Sequence, residues 1–194
     1  VLRLTGRQPL KATQITVPTD PSSAAFHITA ATILEGSSVT LPKVMMNPTR
    51  IGFLYALKEM GAEIATLNEQ ETGGELVADL TVRSAKLRAM TITADRAPAL
   101  IDEYPVLAVA AAFAEGTSRF EGLSELRVKE SDRLSATADL LSANGVICRT
   151  GEDWIEIDGG KVAGGGLVTT HHDHRIAMSA LVLGLAAQSP VSID

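Results

Sequence analysis

Pro105-Val106-Leu107-Ala108-Val109-Ala110-Ala111-Ala112-Phe113-Ala114-Glu115-Gly116 reads as a helix that is apolar on every side. Pro105 suits the first helical turn and Gly116 suits the stop. A surface helix keeps one polar face, so a helix without one must be enclosed by neighbours. Its alanines let those neighbours approach closely. Two other stretches carry the same signature. Asp20-Pro21-Ser22-Ser23 offers an N-cap with Pro at the next position, followed by Ala24-Ala25-Phe26-His27-Ile28-Thr29-Ala30-Ala31 and a stop near Gly36. Asp173 precedes Ile176-Ala177-Met178-Ser179-Ala180-Leu181-Val182-Leu183. Asp20, Asp102 and Asp173 therefore lead three buried helices.

Working outward from each helix, the same order of elements returns. In the first copy, Gln14-Ile15-Thr16-Val17 alternates as a strand closed by Pro18, and Ser38-Val39-Thr40-Leu41 is a second strand. A second helix is predicted over 48–60, stopped by Gly61. Strands at 63–66 and 79–82 follow, joined by a turn at Gly73-Gly74. In the second copy, Ser118-Arg119-Phe120 is a strand. An amphipathic helix capped by Ser131 or Asp132 ends near Gly145, and strands follow at 146–148 and 154–157. A third copy starts at Asp173. This pattern predicts an α/β fold of repeated β-α-β-α-β-β units, with buried helices inside and sheets outside. Unit one covers about 14–84, unit two about 87–158 and a truncated third about 161–194, together forming one domain. If rotation relates the units, their first helices present Asp20, Asp102 and Asp173 at one end. Parallel helix N-termini there make a positively polarised floor for phosphates and carboxylates. Val1-Leu2-Arg3-Leu4 reads as strand interior and Pro190-Val191-Ser192-Ile193-Asp194 as the start of another strand, so the chain reads as part of a longer protein.

The chain has 194 residues, 45% hydrophobic and 21% charged, with a net charge of −6. That balance supports a packed core and argues against general affinity for nucleic acid. A single cysteine, Cys148, excludes an internal disulfide and fits a reducing compartment. It lies in an apolar strand pattern, as an inert core thiol would. No run approaches the roughly 18 apolar residues of a membrane helix, and no signal peptide opens the chain, so a soluble, cytoplasmic protein is expected.

Against this acidic background Arg127-Val128-Lys129-Glu130-Ser131-Asp132-Arg133 concentrates charge at the start of a helix. If that helix includes Lys129, then Lys129 and Arg133 sit one turn apart and repel by about 0.2–0.5 kcal/mol when exposed. An anion bound between them would relieve this; a solvated helix start is the alternative. Asp102 is either an N-cap or a group that binds a hydroxyl and takes its proton. His171-His172-Asp173-His174-Arg175 lacks the further ligands of a zinc site, so Asp173 is expected as a helix cap, with Arg175 pointing to the same anion-binding end as Arg133. Gly159-Gly160-Lys161 and Gly164-Gly165-Gly166 lack Walker A spacing and read as a flexible turn between units. Arg50, opening the second helix of unit one, reads as a surface residue. Met45, Met46 and Met60 read as core filler.

RVKESDRL at 127–134, IDEYP at 101–105, HDHRIAM at 172–178, DPSSAAF at 20–26 and NPTR at 47–50 resemble the 5-enolpyruvylshikimate-3-phosphate synthase family, particularly its glyphosate-tolerant bacterial class. The resemblance spans the chain and implies a C-terminal-type domain of the enolpyruvyl transferase fold, an inside-out α/β barrel. It implies transfer of the enolpyruvyl group of phosphoenolpyruvate to the 5-hydroxyl of shikimate 3-phosphate, with release of phosphate. On that resemblance, Asp102 holds the substrate hydroxyls and accepts a proton, and Glu130 shuttles a proton at the methylene carbon. Lys129 contacts shikimate 3-phosphate, while Arg133 and Arg175 clamp phosphoenolpyruvate. It implies no metal and no organic cofactor. The partners it implies are the two substrates and a complementary N-terminal domain, whose Lys-Ser-x-x-x-Arg loop and Ser-Ala-Gln segment are absent here. The fragment alone is therefore expected to be inactive. A non-enzymatic anion-binding or interaction module that keeps the motif, or another enolpyruvyl transferase, is the alternative.

Overall fold

The computed structural model describes residues 2–12 and 14–194. Three helices form the centre: α1 (Pro21–Ile33), α3 (Tyr104–Ala112) and α5 (His174–Ala186) pack against one another. Between them come α2 (Gly52–Glu59) and α4 (Arg133–Ala143). The first sheet is antiparallel, with β1 (Ser38–Met45) and β2 (Glu63–Thr72) flanking β3 (Glu75–Arg83). In the second, β4 (Thr91–Ile92) pairs in parallel with β5 (Thr117–Glu121). Beyond β5 lie β7 (Trp154–Asp158) and β6 (Ile147–Thr150), paired antiparallel. A short parallel pair joins β8 (Leu167–Val168) to β9 (Ser192–Ile193). The first sheet packs on α1 through Leu80 and Val82, and the second on α3 through Ile155 and Ile157. Helices inside and sheets outside follow from the apolar periodicity.

The inner helices are not equally enclosed. All nine residues of α3 are buried. On α1, Pro21, Ser22, Ala24, Ala25, Phe26, Ile28 and Thr29 are among those buried. On α5, Ile176, Ala180 and Leu183 face the core, whereas Leu181 and Leu185 are 56% and 55% exposed. The expectation that each first helix is wrapped on all sides is thus corrected for α5. Among the described residues no sheet covers that face as the first two sheets cover α1 and α3.

Other boundaries shift for local reasons. Residues 14–17 form no strand, and Pro18, which follows them, has no N–H to give. Pairing there shrinks to Thr19, whose N–H reaches the Lys43 carbonyl at 2.9 Å and whose carbonyl takes the Met45 N–H at 2.9 Å. Residues 2–4 are likewise unpaired, and Val1 lies outside the described residues. Helix α2 starts at Gly52 rather than Pro48, because the Asn47 side chain closes a turn by accepting from the Thr49 N–H at 3.1 Å and hydroxyl at 2.8 Å. The Gly159-Gly160 segment is a fitted contact, not a flexible turn. Their N–H groups donate to the Gly116 and Ala112 carbonyls, and a Cβ on Gly159 would sit 2.2 Å from the Ala114 oxygen.

Sequence reading missed Asp79 at the centre of the first sheet. Its carboxylate accepts from the Lys43 N–H and the Asn68 side-chain amide, both at 2.8 Å. Lys43 and Asn68 have φ of 51° and 52°, and both sit where the β1–β3 and β2–β3 registers slip. One side chain thus fixes two bulges. The bulge in β1 presents the backbone that holds Thr19, and so delivers Asp20 to the start of α1.

Unequal enclosure has a measurable consequence. Leu107→Ala, in fully buried α3, should cost about 2–5 kcal/mol in urea unfolding, whereas Leu181→Ala should change stability by less than roughly 0.5 kcal/mol. Equal losses would contradict the exposure of α5.

Candidate active site

The N-termini of α1, α3 and α5 meet at one end of the helical centre, and charged side chains lace them together. Asp20 caps α1, accepting from the Ser23 N–H at 2.9 Å. Asp173 caps α5 through the Arg175 N–H at 2.9 Å. Asp132 caps α4 through the Ser135 N–H at 3.0 Å. Asp102 breaks the pattern. It lies in a 3-10 turn before α3, whose N-cap position belongs to Glu103 and makes no side-chain cap. Asp102 is therefore free of the capping role that its place in the sequence allowed. Its Oδ1 meets Arg133 at 3.1 Å and Lys129 at 3.4 Å.

The charged motif is divided by the start of α4. Arg133 is the first helical residue, so Lys129 and Glu130 precede the helix, and the expected one-turn stacking of Lys129 on Arg133 does not occur. Asp132 stops the helix from starting earlier, because its side chain bonds two groups of one first-turn residue, the Ser135 N–H and hydroxyl. The two cations instead converge on Asp102 from different elements. Lys129 also pairs with Glu125 at 2.6 Å, and the hydrogen bond it donates to Glu125, together with the Asp102 charge, holds the ammonium above its ordinary pKa. Arg127 is not part of the charge cluster. Its guanidinium ties the Gly151 and Glu152 carbonyls, each at 2.6 Å, to Asp132 at 2.8 Å, and so fixes the loop that carries Lys129 and Glu130.

Arg133 is 1% exposed, and carboxylates surround it. Nε meets Asp173 Oδ2 at 2.8 Å, NH1 meets Asp102, and NH2 meets Glu130 at 2.5 Å. Asp173 is fully buried and also accepts from the Ser131 hydroxyl at 3.0 Å. Burial alone would raise its pKa, but hydrogen bonds from Arg133, the Arg175 N–H and Ser131 outweigh that and hold it below the ordinary value. A turn with two consecutive left-handed residues, His171 at φ 53° and His172 at 57°, aims Asp173 inward. Thr170, which opens that turn, donates its N–H and hydroxyl to Asp194 at 2.9 and 2.7 Å.

Arg175 reaches over the start of α3, where NH1 donates to the Asp102 carbonyl at 3.0 Å and approaches Glu103 Oε1 at 3.4 Å. Arg50 is tied to this end too, at 3.0 Å from Asp20 and 3.1 Å from the Ser22 hydroxyl. All five residues singled out by resemblance, Asp102, Lys129, Glu130, Arg133 and Arg175, therefore gather at one end of the fold. Glu103 and Arg50 join them, and Glu103 had gone unread because its neighbour Asp102 took the attention.

A family model described as EPSP synthase (3-phosphoshikimate 1-carboxyvinyltransferase) matches residues 1–194. The chain belongs to the EPSP synthase family. It is 60% identical over 195 residues to the 3-phosphoshikimate 1-carboxyvinyltransferase of Methylobacterium sp. (strain 4-46), which covers all of this chain and 43% of that protein. It is 56% identical to the same enzyme of Pseudomonas sp. (strain PG2982), again along its whole length and over 44% of the relative. Among solved structures, EPSP synthase from Acinetobacter baumannii superimposes with a TM-score of 0.89 at 43% identity, covering 98% of this chain and 44% of that one. The chain thus spans less than half the length of the EPSP synthases it matches. Among the described residues no helix is long and apolar enough to cross a membrane.

The buried Arg133–Asp173 pair sets an expectation for stability. Asp173→Asn leaves a buried guanidinium short of charge and should cost about 3–5 kcal/mol near neutral pH. A carboxyl held below its ordinary 3.8 stabilises the fold above that pH and loses its contribution as pH falls through the folded value. The gap between wild type and Asp173→Asn, measured by urea unfolding, should therefore narrow below about pH 3.8. A gap independent of pH would contradict the pairing.

Proposed function

We propose that this chain is the C-terminal-type half of a 3-phosphoshikimate 1-carboxyvinyltransferase. In this reading it transfers the enolpyruvyl group of phosphoenolpyruvate to the 5-hydroxyl of shikimate 3-phosphate once a complementary N-terminal half closes over it. The observation that carries the reading is the convergence of Asp102, Lys129, Glu130, Arg133 and Arg175 at joined helix N-termini, in a chain of this family. Two anionic substrates need cations in a place that water leaves on closure. Helix N-termini with Lys129, Arg133 and Arg175 supply them.

The roles that the resemblance implies are compatible with which atoms are engaged. Lys129 and Arg133 hold Asp102 through Oδ1, which leaves Oδ2 to take a proton from the 5-hydroxyl as its oxygen adds to C2 of phosphoenolpyruvate. The methylene carbon gains a proton in the same addition. Glu130, 56% exposed and bonded through one oxygen, is the group able to take up a proton from solvent once it has left Arg133, deliver it to that carbon and later recover it as phosphate leaves. Arg133 begins with every arm on a carboxylate, and Glu130 is the exposed member of that set. An incoming substrate anion takes the place of Glu130 on NH2, which turns Glu130 toward the reacting carbon. Arg175 meets the same anion from α5. No step here uses a metal or organic cofactor.

Co-expression of this chain with the N-terminal half of a relative, followed by a phosphate-release assay, tests the reading. The chain alone should give no turnover, the pair should give turnover, and Glu130→Gln in the pair should lower kcat by about 10²–10⁴. Turnover by the chain alone would overturn the proposed division of the site. An active pair indifferent to Glu130→Gln would overturn the role of Glu130, and an inactive wild-type pair would favour a non-enzymatic anion-binding module.

A further inference from the structure

Glu103 has no part in the chemistry above, yet it is an acid with 6% of its side chain exposed, set between three elements. Arg175 faces it from α5 at 3.4 Å, and the Ser22 hydroxyl faces it from α1. Arg50 adds its field from the turn before α2, and Asp102 is its neighbour in the chain. A buried carboxylate is costly unless something charged answers it, and Arg175 is the partner within ion-pair distance. Arg175 is itself mostly buried, at 15%. Among the described residues its NH1 alone is engaged, by Glu103 and by the Asp102 carbonyl. Nε and NH2 remain as two parallel donors, the edge of a guanidinium that grips a carboxylate or phosphate in two places.

We propose that Glu103 is the positioning residue for Arg175: with the Asp102 carbonyl it fixes NH1, so that Nε and NH2 present a two-donor edge to a carboxylate- or phosphate-bearing substrate. This rests on the functional reading above, in which Arg175 meets phosphoenolpyruvate. Because the Asp102 backbone supplies one of the two anchors, the arrangement also ties Arg175 to the residue that takes the hydroxyl proton. Protonation of Glu103 weakens this grip. Burial raises its pKa first and Asp102 adds to that, while Ser22, Arg175 and Arg50 only partly oppose them, so the net displacement is above the ordinary 4.5. The ionised carboxylate therefore holds Arg175 NH1 more tightly than the neutral acid, whose carbonyl oxygen still accepts, and the hold weakens as the pH falls toward that raised value.

Two readouts test this. In the ¹⁵N-labelled chain, the Arg175 Nε–H resonance, identified by its loss in Arg175→Lys, should shift in a step above pH 4.5. That step should vanish in Glu103→Gln, which keeps an acceptor oxygen but cannot titrate, and should be replaced by a displaced resonance at every pH in Glu103→Ala. In the complemented enzyme, Glu103→Ala should raise KM for phosphoenolpyruvate by roughly tenfold or more, with KM for shikimate 3-phosphate within about twofold, and Glu103→Gln should recover most of the loss. An Arg175 resonance indifferent to both substitutions, or equal changes in the two KM values, would overturn the proposal. If the wild-type pair shows no turnover, the functional reading fails on its own, and the resonance still decides whether Glu103 positions Arg175. If Glu103→Ala does not fold, Glu103→Gln carries both measurements.

Discussion

A guanidinium enclosed by protein keeps its charge only if anions replace the water it has lost, and Arg133 meets that condition with carboxylates from three parts of the chain. Asp102 comes from the turn before α3, Asp173 from the cap of α5, and Glu130 from the loop leading into α4. Two of these have a second tie. Asp173 caps α5 and takes the Ser131 hydroxyl, and Asp102 takes Lys129. Arg133 thus joins the start of its own helix to two inner helices, and the geometry of the site is a consequence of that joining.

The packing behind the site explains why the ties fall at one end. Helix α3 is apolar throughout and can serve only as the centre of the fold, so α1 and α5 lie along it and their polar starts emerge together. Four helix starts then have their first-turn N–H groups close by, and acidic caps satisfy three of them. At α3 the acid that precedes the helix leaves the cap to face cations instead.

Much of this was legible in the residues. The all-apolar Pro105-to-Phe113 run, the aspartate leaders and the repeated order of elements give inner helices and outer sheets from periodicity alone. What escaped depends on partners far along the chain. Residues 14–17 alternate as a strand should, but a strand exists only where an edge accepts it, and among the described residues pairing with β1 begins at Thr19. The two bulges fixed by Asp79 need a carboxylate that reaches Lys43 and Asn68 from the central strand, and no local pattern shows this. Motif resemblance singled out Asp102, Lys129, Glu130, Arg133 and Arg175, which the fold brings to one end. The burial of Arg133, the bracing role of Arg127 and the presence of Glu103 between α1 and α5 could not be read in this way, since each is a matter of which side chain lies nearest in space.

The central claim is that one buried guanidinium holds the starts of α3, α4 and α5 in register. Amide hydrogen exchange on Arg133→Lys, which keeps the charge but loses the planar fork, tests it most directly. The account predicts faster exchange, relative to wild type, at the first-turn amides of α5 and in the turn at 101–103 as well as in the loop at 129–132, with the sheets unchanged. Faster exchange confined to 129–132 would show that Arg133 serves its own loop only, and would contradict the account.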